Sequence, residues 1–84
     1  MAKVILTPEA QEEAKRLPAS LRPRLEAVIV HLESWPSVSG VKWLKHEWTG
    51  HGRIRMGDWR VIFTFEAPDV IVVRIKHRSE VYED

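Results

Sequence analysis

Between Met56 and Trp59 stand only Gly57 and Asp58. The flanking runs, Arg53–Met56 and Trp59–Glu66, are rich in isoleucine, valine and aromatics. The dipeptide therefore reads as the two-residue loop of a β-hairpin, glycine first as a type II′ turn prefers. Such a loop leaves one register: Met56 faces Trp59, Arg55 faces Arg60, Ile54 faces Val61 and Arg53 faces Ile62. Side chains alternate along a strand. One face then carries Ile54, Met56, Trp59, Val61, Phe63 and Phe65, an apolar surface that helices must cover. The other carries Arg53, Arg55 and Arg60. A third strand, Val70–Lys76, follows a turn through Ala67-Pro68-Asp69. A three-residue loop there pairs Phe65 with Ile71, Phe63 with Val73 and Val61 with Ile75. It also puts Arg74 and Lys76 on the outer face, with Lys76 opposite Arg60.

The N-terminal half supplies the cover. Val4-Ile5-Leu6 is a short apolar run that predicts a first strand. Thr7-Pro8-Glu9 combines a hydroxyl N-cap, a proline at the first helical position and an acid at the positive end of the dipole. The helix it starts is weakly amphipathic through Ala10, Ala14 and Leu17 and stops near Pro18. Ser20 is placed to cap a second helix, with Pro23 in its first turn and Leu21, Leu25, Val28, Ile29 and Leu32 as one stripe ending at Trp35-Pro36. Residues 37–50 lack a period and predict an irregular connection with a helical turn around Val41 to Lys45. The order of elements predicts an α+β fold, an N-terminal strand and two helices packed on one face of an antiparallel sheet completed by three C-terminal strands. Eighty-four residues suffice for one domain, 1–84, and not for two.

Composition narrows the function. A hydrophobic share of 44% with 30% charged residues is globular, not disordered. The absence of cysteine excludes a disulfide scaffold, a thiolate metal site and a cysteine nucleophile. No apolar run is long enough for a signal peptide or a membrane span, so a soluble cytoplasmic protein with no membrane partner is expected. The net charge of +1 hides a segregation. Arg53, Arg55, Arg60, Arg74 and Lys76 gather on one side of three strands, and no Asp or Glu of those strands is interleaved, Glu66 lying at the far end. Like charges directly across a sheet cost up to about 1 kcal/mol a pair. A solvated face of splayed side chains is one account of the cluster; a polyanion site is the favoured one. Four of these five cations are arginines, whose planar fork suits bidentate phosphate contact. Lys42 and Lys45 either extend the basic surface or are ordinary solvated lysines. Trp43 and Trp48 are expected to pack the connection onto the domain. His31, His46 and His51 have no ligand spacing, so neither a metal nor a cofactor is expected.

The stretch Leu44-Lys45, then Gly52-Arg53-Ile54-Arg55-Met56-Gly57-Asp58-Trp59-Arg60-Val61-Ile62-Phe63, ending in His77-Arg78-Ser79-Glu80-Val81-Tyr82, resembles the RelE/ParE toxin superfamily over the whole chain. The resemblance implies the toxin of a bacterial or archaeal type II toxin–antitoxin pair. Its RelE-like branch cuts messenger RNA on the ribosome and so inhibits translation; its ParE-like branch binds and poisons DNA gyrase without cutting RNA. The tyrosine after His-Arg-x-x-Val points to the RNA-cleaving branch, with the gyrase inhibitor as the alternative. In the cleaving enzymes the positions matching Arg53, Arg55, Arg60, Lys76, Arg78 and Tyr82 line the active site. Relatives often carry lysine where Arg53 and Arg55 stand, and an arginine effectively cannot serve as a base. The expected chemistry is metal-independent attack of a 2′-hydroxyl on the adjacent phosphorus. Arg53, Arg55, Arg60, Arg78 and Tyr82 are the catalytic candidates, and Lys76, Arg74, Lys45 and His77 the substrate-binding ones. His77 and Tyr82 are the candidates for proton transfer, Tyr82 equally for stacking on a base, while alternation points His77 to the core side and a structural role. The expected partners are a cognate antitoxin, in a toxin–antitoxin hetero-oligomer, and the ribosome with its mRNA. Ile62, Thr64, Val70 and Val72 offer the antitoxin an apolar landing strip unless the irregular loop covers them.

Overall fold

The computed structural model describes residues 1–81. Strand β1 (Lys3–Leu6) is followed by helix α1 (Pro8–Arg16), a 3-10 turn (Ala19–Leu21) and helix α2 (Arg22–Leu32). Strands β2 (Val41–Trp43), β3 (Gly52–Met56), β4 (Trp59–Glu66) and β5 (Asp69–His77) complete a sheet of order β1-β5-β4-β3-β2. The α+β class and the helices' single face are as expected. Two details of the sheet differ. β1 joins parallel to β5, from Lys3 opposite Asp69 to Leu6 opposite Val72, so the sheet is mixed. Residues 41–43, expected in a helical turn, form an edge strand antiparallel to β3 instead.

Thr7 caps α1 as its sequence signature requires, its hydroxyl oxygen accepting from the Ala10 amide at 3.1 Å. The same hydroxyl donates to the Val73 carbonyl at 2.9 Å, and the Thr7 amide donates to the Val72 carbonyl at 3.0 Å. One residue thus starts the helix and ties it to β5 where β1 ends. Ser20 does not cap α2. It falls within the 3-10 turn, and α2 starts at Arg22 without a side-chain cap, Pro23 occupying the first turn.

The β3–β4 hairpin has the register its loop dictates, from Met56 opposite Trp59 to Arg53 opposite Ile62. Gly57 has φ of 62°, and Asp58 is not left-handed, which is the pattern of a II′ turn. The β4–β5 pairing departs from expectation. Val61 does face Ile75 and Arg60 does face Lys76, but Phe63 faces Val72 and Phe65 faces Val70. Glu66 pairs with Asp69, so the loop is Ala67-Pro68 alone, and a bulge beside Ile62/Phe63 absorbs the extra residue, Val73. Val70 and Val72 are therefore buried in the main core, and the expected landing strip is corrected: those two valines do not lie on the outer face.

The main core joins Ala10, Leu17, Leu25 and Leu32 beneath the helices to Met56, Val61, Phe63, Val70, Val72 and Ile75 of the sheet. Gly52 is needed at its edge, because a Cβ there would stand 2.9 Å from Val41 Cγ1 and 3.0 Å from Phe63 Cζ. A second, smaller core lies on the opposite face. Ile62 is sealed there by Leu44 and Val81, with Trp48 and Val73 against them. The connection between β2 and β3 thus folds over the outer face, pinned by the Thr64 hydroxyl donating to the Gly50 carbonyl at 3.1 Å. Trp43 packs on the helix side instead, its ring edge-on to Trp35 with centroids 6.1 Å apart. Among the described residues no helix is long and apolar enough to cross a membrane.

Candidate phosphate-binding face

Residues opposite one another in a ladder share a face, so the registers define a two-row array on the outer side. The first row runs Lys42 (β2), Arg53 (β3), Ile62 (β4) and Arg74 (β5). The second runs Arg55 (β3), Arg60 (β4) and Lys76 (β5). Arg55 and Arg60 thus stand side by side, and Lys42 belongs with the cations rather than with the ordinary surface lysines. Sealed Ile62 forms an apolar floor among them.

Two of the arginines are buried, Arg53 with 8% of its surface exposed and Arg60 with 7%. Their guanidinium groups are held by main-chain oxygens. Arg53 Nη1 donates to the Gly40 carbonyl at 3.2 Å. Arg60 Nη1 donates to the carbonyls of Gly57 at 3.1 Å and Trp59 at 3.2 Å. Each has further interactions beyond these. A guanidinium carries five N–H donors, and in each of these arginines Nη1 is fixed on main-chain oxygen. Arg55 is exposed at the rim. Arg78 is set beside the hairpin turn, its amide donating to the Asp58 carbonyl at 2.8 Å and its Nε 3.8 Å from Asp58 Oδ1. Lys45 is exposed next to buried Leu44, at the margin of the face.

The β5 side of the array is different, and here the expectation of an acid-free face is corrected. Glu13 of α1 reaches round the edge that short β1 leaves open. Arg74 Nη2 donates to Glu13 Oε2 at 2.7 Å, and Arg74 Nε lies 3.2 and 3.1 Å from the two carboxylate oxygens. The Ile75 amide donates to Glu13 Oε1 at 2.7 Å, closing the otherwise unpaired strand edge. Lys76 Nζ sits 4.0 Å from Glu13 Oε2 and 3.7 Å from Glu80 Oε2. Burial pushes the Glu13 carboxyl up, but the Arg74 hydrogen bond, the Ile75 amide and the charges of Arg74 and Lys76 together outweigh it. The group is held below its ordinary value of 4.5, and Arg74 is correspondingly raised, chiefly by its hydrogen bond to Glu13. Glu13 lies three residues after Ala10 and four before Leu17, so it flanks the buried stripe of α1, but nothing in that local spacing points to Arg74.

A carboxyl whose folded pKa is depressed contributes stability above its unfolded pKa, and that contribution fades as pH falls through the folded value. Glu13→Gln should therefore lower the melting temperature at neutral pH. It should also flatten the decline below about pH 4.5, the range in which wild type loses the Arg74 clamp. Thermal melts of both proteins across pH 3 to 7 check this, parallel curves being the contrary result.

His77 does not join the arginines. It pairs with Trp59 on the helix side, the two rings edge-on at 5.4 Å. Its Nδ1 accepts from the Ser79 amide at 3.3 Å and lies 3.0 Å from the Ser79 hydroxyl, so it caps the 3-10 turn Arg78–Glu80. The structural role that alternation suggested fits this placement; contact with substrate on the cationic face does not. Tyr82 lies outside the described residues.

Residues 4–82 match the family model described as the ParE toxin of the type II toxin–antitoxin system parDE. The chain belongs to this family, and it is a toxin of the type II class. No curated protein sequence matches it significantly. Among solved structures it is similar to the RelBE2 toxin–antitoxin complex from Mycobacterium tuberculosis, at 25% identity and a TM-score of 0.66, over 92% of this chain and 98% of that one. It is similar to the archaeal RelE–RelB complex from Pyrococcus horikoshii at 24% identity and a TM-score of 0.72, over 95% and 98%. The isolated E. coli RelE toxin shares the fold at 15% identity and a TM-score of 0.75, over 92% and 84%.

Proposed function

We propose that this toxin acts as a ribosome-dependent, metal-independent messenger-RNA endoribonuclease. The observation that carries the reading is the side-by-side placement of Arg55 and Arg60, with Arg53 and Lys42 in the adjoining row, on one face of the sheet. A dense cationic face creates a positive potential that attracts an anion. Phosphodiester cleavage supplies that anion, most strongly when charge builds on the phosphoryl oxygens.

In the proposed reaction the 2′-oxygen attacks the adjacent phosphorus as its proton leaves. The bond to the 5′-oxygen breaks, that oxygen takes up a proton, and a 2′,3′-cyclic phosphate remains. Arg53, Arg55 and Arg60 stabilise the pentavalent phosphorus through donors already oriented before substrate arrives. Arg78, beside the turn, extends the same field. Arginines keep their protons near neutrality, and His77 faces the helices, so proton transfer falls to Tyr82 in this reading. Arg74 is engaged by Glu13, and Lys76 by Glu13 and Glu80, so both support the site electrostatically rather than as open phosphate ligands. Lys45 borders the RNA path. The protein partner is a cognate antitoxin, as RelB is for the RelE of Pyrococcus horikoshii.

Incubating the toxin with ribosomes programmed with a reporter messenger RNA tests the reading. Cleavage leaving a 2′,3′-cyclic phosphate end supports it. Intact message together with gyrase-trapped DNA breaks overturns it in favour of the gyrase inhibitor, the activity that the ParE name of the matching family suggests.

A further inference from the structure

The segment after β5 carries Arg78 and leads to Val81, which seals Ile62 on the outer face. The 3-10 turn between strand and seal, Arg78–Glu80, is three residues long. Its own hydrogen bond, from the Val81 amide to the Arg78 carbonyl, is stretched to 3.4 Å. A single turn fixes several dihedral angles for one bond and does not hold itself. The place of Arg78 therefore depends on what grips this turn from outside.

Three contacts do so. The Asp58 carbonyl accepts from the Arg78 amide at 2.8 Å and sets the turn against the tip of the β3–β4 hairpin. Lys76 Nζ lies 3.7 Å from Glu80 Oε2, but Glu80 is exposed and such a pair adds little. The third is His77. It occupies the N-cap position in extended backbone, with φ of −70° and ψ of 148°, close to the conformation of Thr7 before α1. Its Nδ1 accepts from the Ser79 amide at 3.3 Å. An amide can only donate, so Nδ1 is bare and the proton of the neutral ring sits on Nε2. One nitrogen is thus occupied as an acceptor and the other is a donor, which leaves the ring no lone pair for a substrate proton. The ring is itself anchored edge-on to Trp59, the residue after Asp58.

We propose that His77 is the positioning residue for Arg78. It touches neither RNA nor a moving proton. By capping the turn and gripping Trp59, it holds the Arg78 guanidinium beside Asp58, at the same two-residue turn whose Gly57 carbonyl receives Arg60. The proposal rests on the ribonuclease reading and deepens it, giving adjacent His77 and Arg78 separate tasks: one sets the geometry and the other supplies the charge.

Two substitutions separate ring from cap. His77→Phe keeps an aromatic ring against Trp59 and removes the acceptor. His77→Asn removes the ring and keeps a side-chain oxygen, in a residue favoured at N-caps. Single-turnover cleavage on programmed ribosomes should slow by up to about 10²-fold in His77→Phe and return close to wild type in His77→Asn. The loss should run through Arg78, so His77→Phe added to Arg78→Ala should slow cleavage little beyond Arg78→Ala alone. Thermal melts accompany each variant, and if loss of the ring unfolds His77→Asn, the double variant decides. Wild-type rates in His77→Phe, lost cleavage in a folded His77→Asn, or effects that multiply in the double variant overturn the positioning role while leaving the nuclease standing. Absence of any cleavage by the wild-type protein overturns the nuclease itself, a distinct outcome.

Discussion

Arg60→Gln is expected to slow mRNA cleavage by about 10²–10³-fold and to abolish growth inhibition when the toxin is expressed without an antitoxin. Arg60 is buried, lies directly between Arg55 and Lys76, and is oriented by two carbonyls of the turn. Its placement between two further cations concentrates positive charge where the proposed transition state gathers negative charge. Glutamine retains a donor for the turn carbonyls and much of the volume, but it carries no charge. The rate should therefore fall while the melting temperature moves by a few degrees at most. Arg60→Lys separates charge from geometry. A lysine keeps the charge but loses the fork that bonds two oxygens at once, so an intermediate rate is expected. Single-turnover cleavage on programmed ribosomes, beside a thermal melt of each variant, checks both.

Phe63→Ala should produce the largest loss of stability, about 3–5 kcal/mol. That is a large part of the 5–15 kcal/mol typical of a folded domain. Phe63 is fully buried in the centre of β4. Its ring lies over bare Gly52, with Trp35 edge-on at 5.4 Å and Trp43 at 6.1 Å. Removing it empties the space between Trp35, just beyond α2, and the β2–β3 edge. The rigid strands cannot close that space without breaking their ladder. Urea unfolding should show a lower midpoint at unchanged slope. An unchanged midpoint would mean that Trp35 and Trp43 collapse into the site, and would contradict a core built around this ring.

What the sequence made legible and what it hid follow from the range of the interactions. The hairpin around Gly57-Asp58 was legible because a two-residue turn is local chemistry, and it carried Arg55 opposite Arg60 and the split of the two faces with it. The Thr7 cap was legible for the same reason. The β4–β5 register was half legible. Nothing local distinguishes a three-residue loop from a two-residue loop followed by a bulge, and the choice is made by the core, which takes Val70 and Val72 and sends Val73 to the far side. β2 was hidden because Val41-Lys42-Trp43 is too short to show alternation and becomes a strand only by pairing with β3. The Glu13 clamp was hidden most deeply. Glu13 is sixty-one residues from Arg74 in the chain, and the strand pattern alone portrayed an acid-free face that a helix then enters. Lys42 became part of the site for the reason β2 became a strand. Its place across from Arg53 is a tertiary fact.

The clamp also explains how so dense a set of like charges folds. Glu13 and Glu80 offset the β5 end of the array, and the Arg53 and Arg60 forks rest on carbonyl dipoles. Arg55, exposed at the rim directly across from Arg60, is open to a ligand. Its removal disturbs little of the fold and much of the proposed chemistry. The most direct test of the nuclease account is therefore the single-turnover rate of ribosome-bound message cleavage by Arg55→Ala beside wild type. The account predicts a rate at least about tenfold lower, a barrier change of about 1.4 kcal/mol, in a protein that melts as wild type does. Equal rates in the two proteins would contradict it.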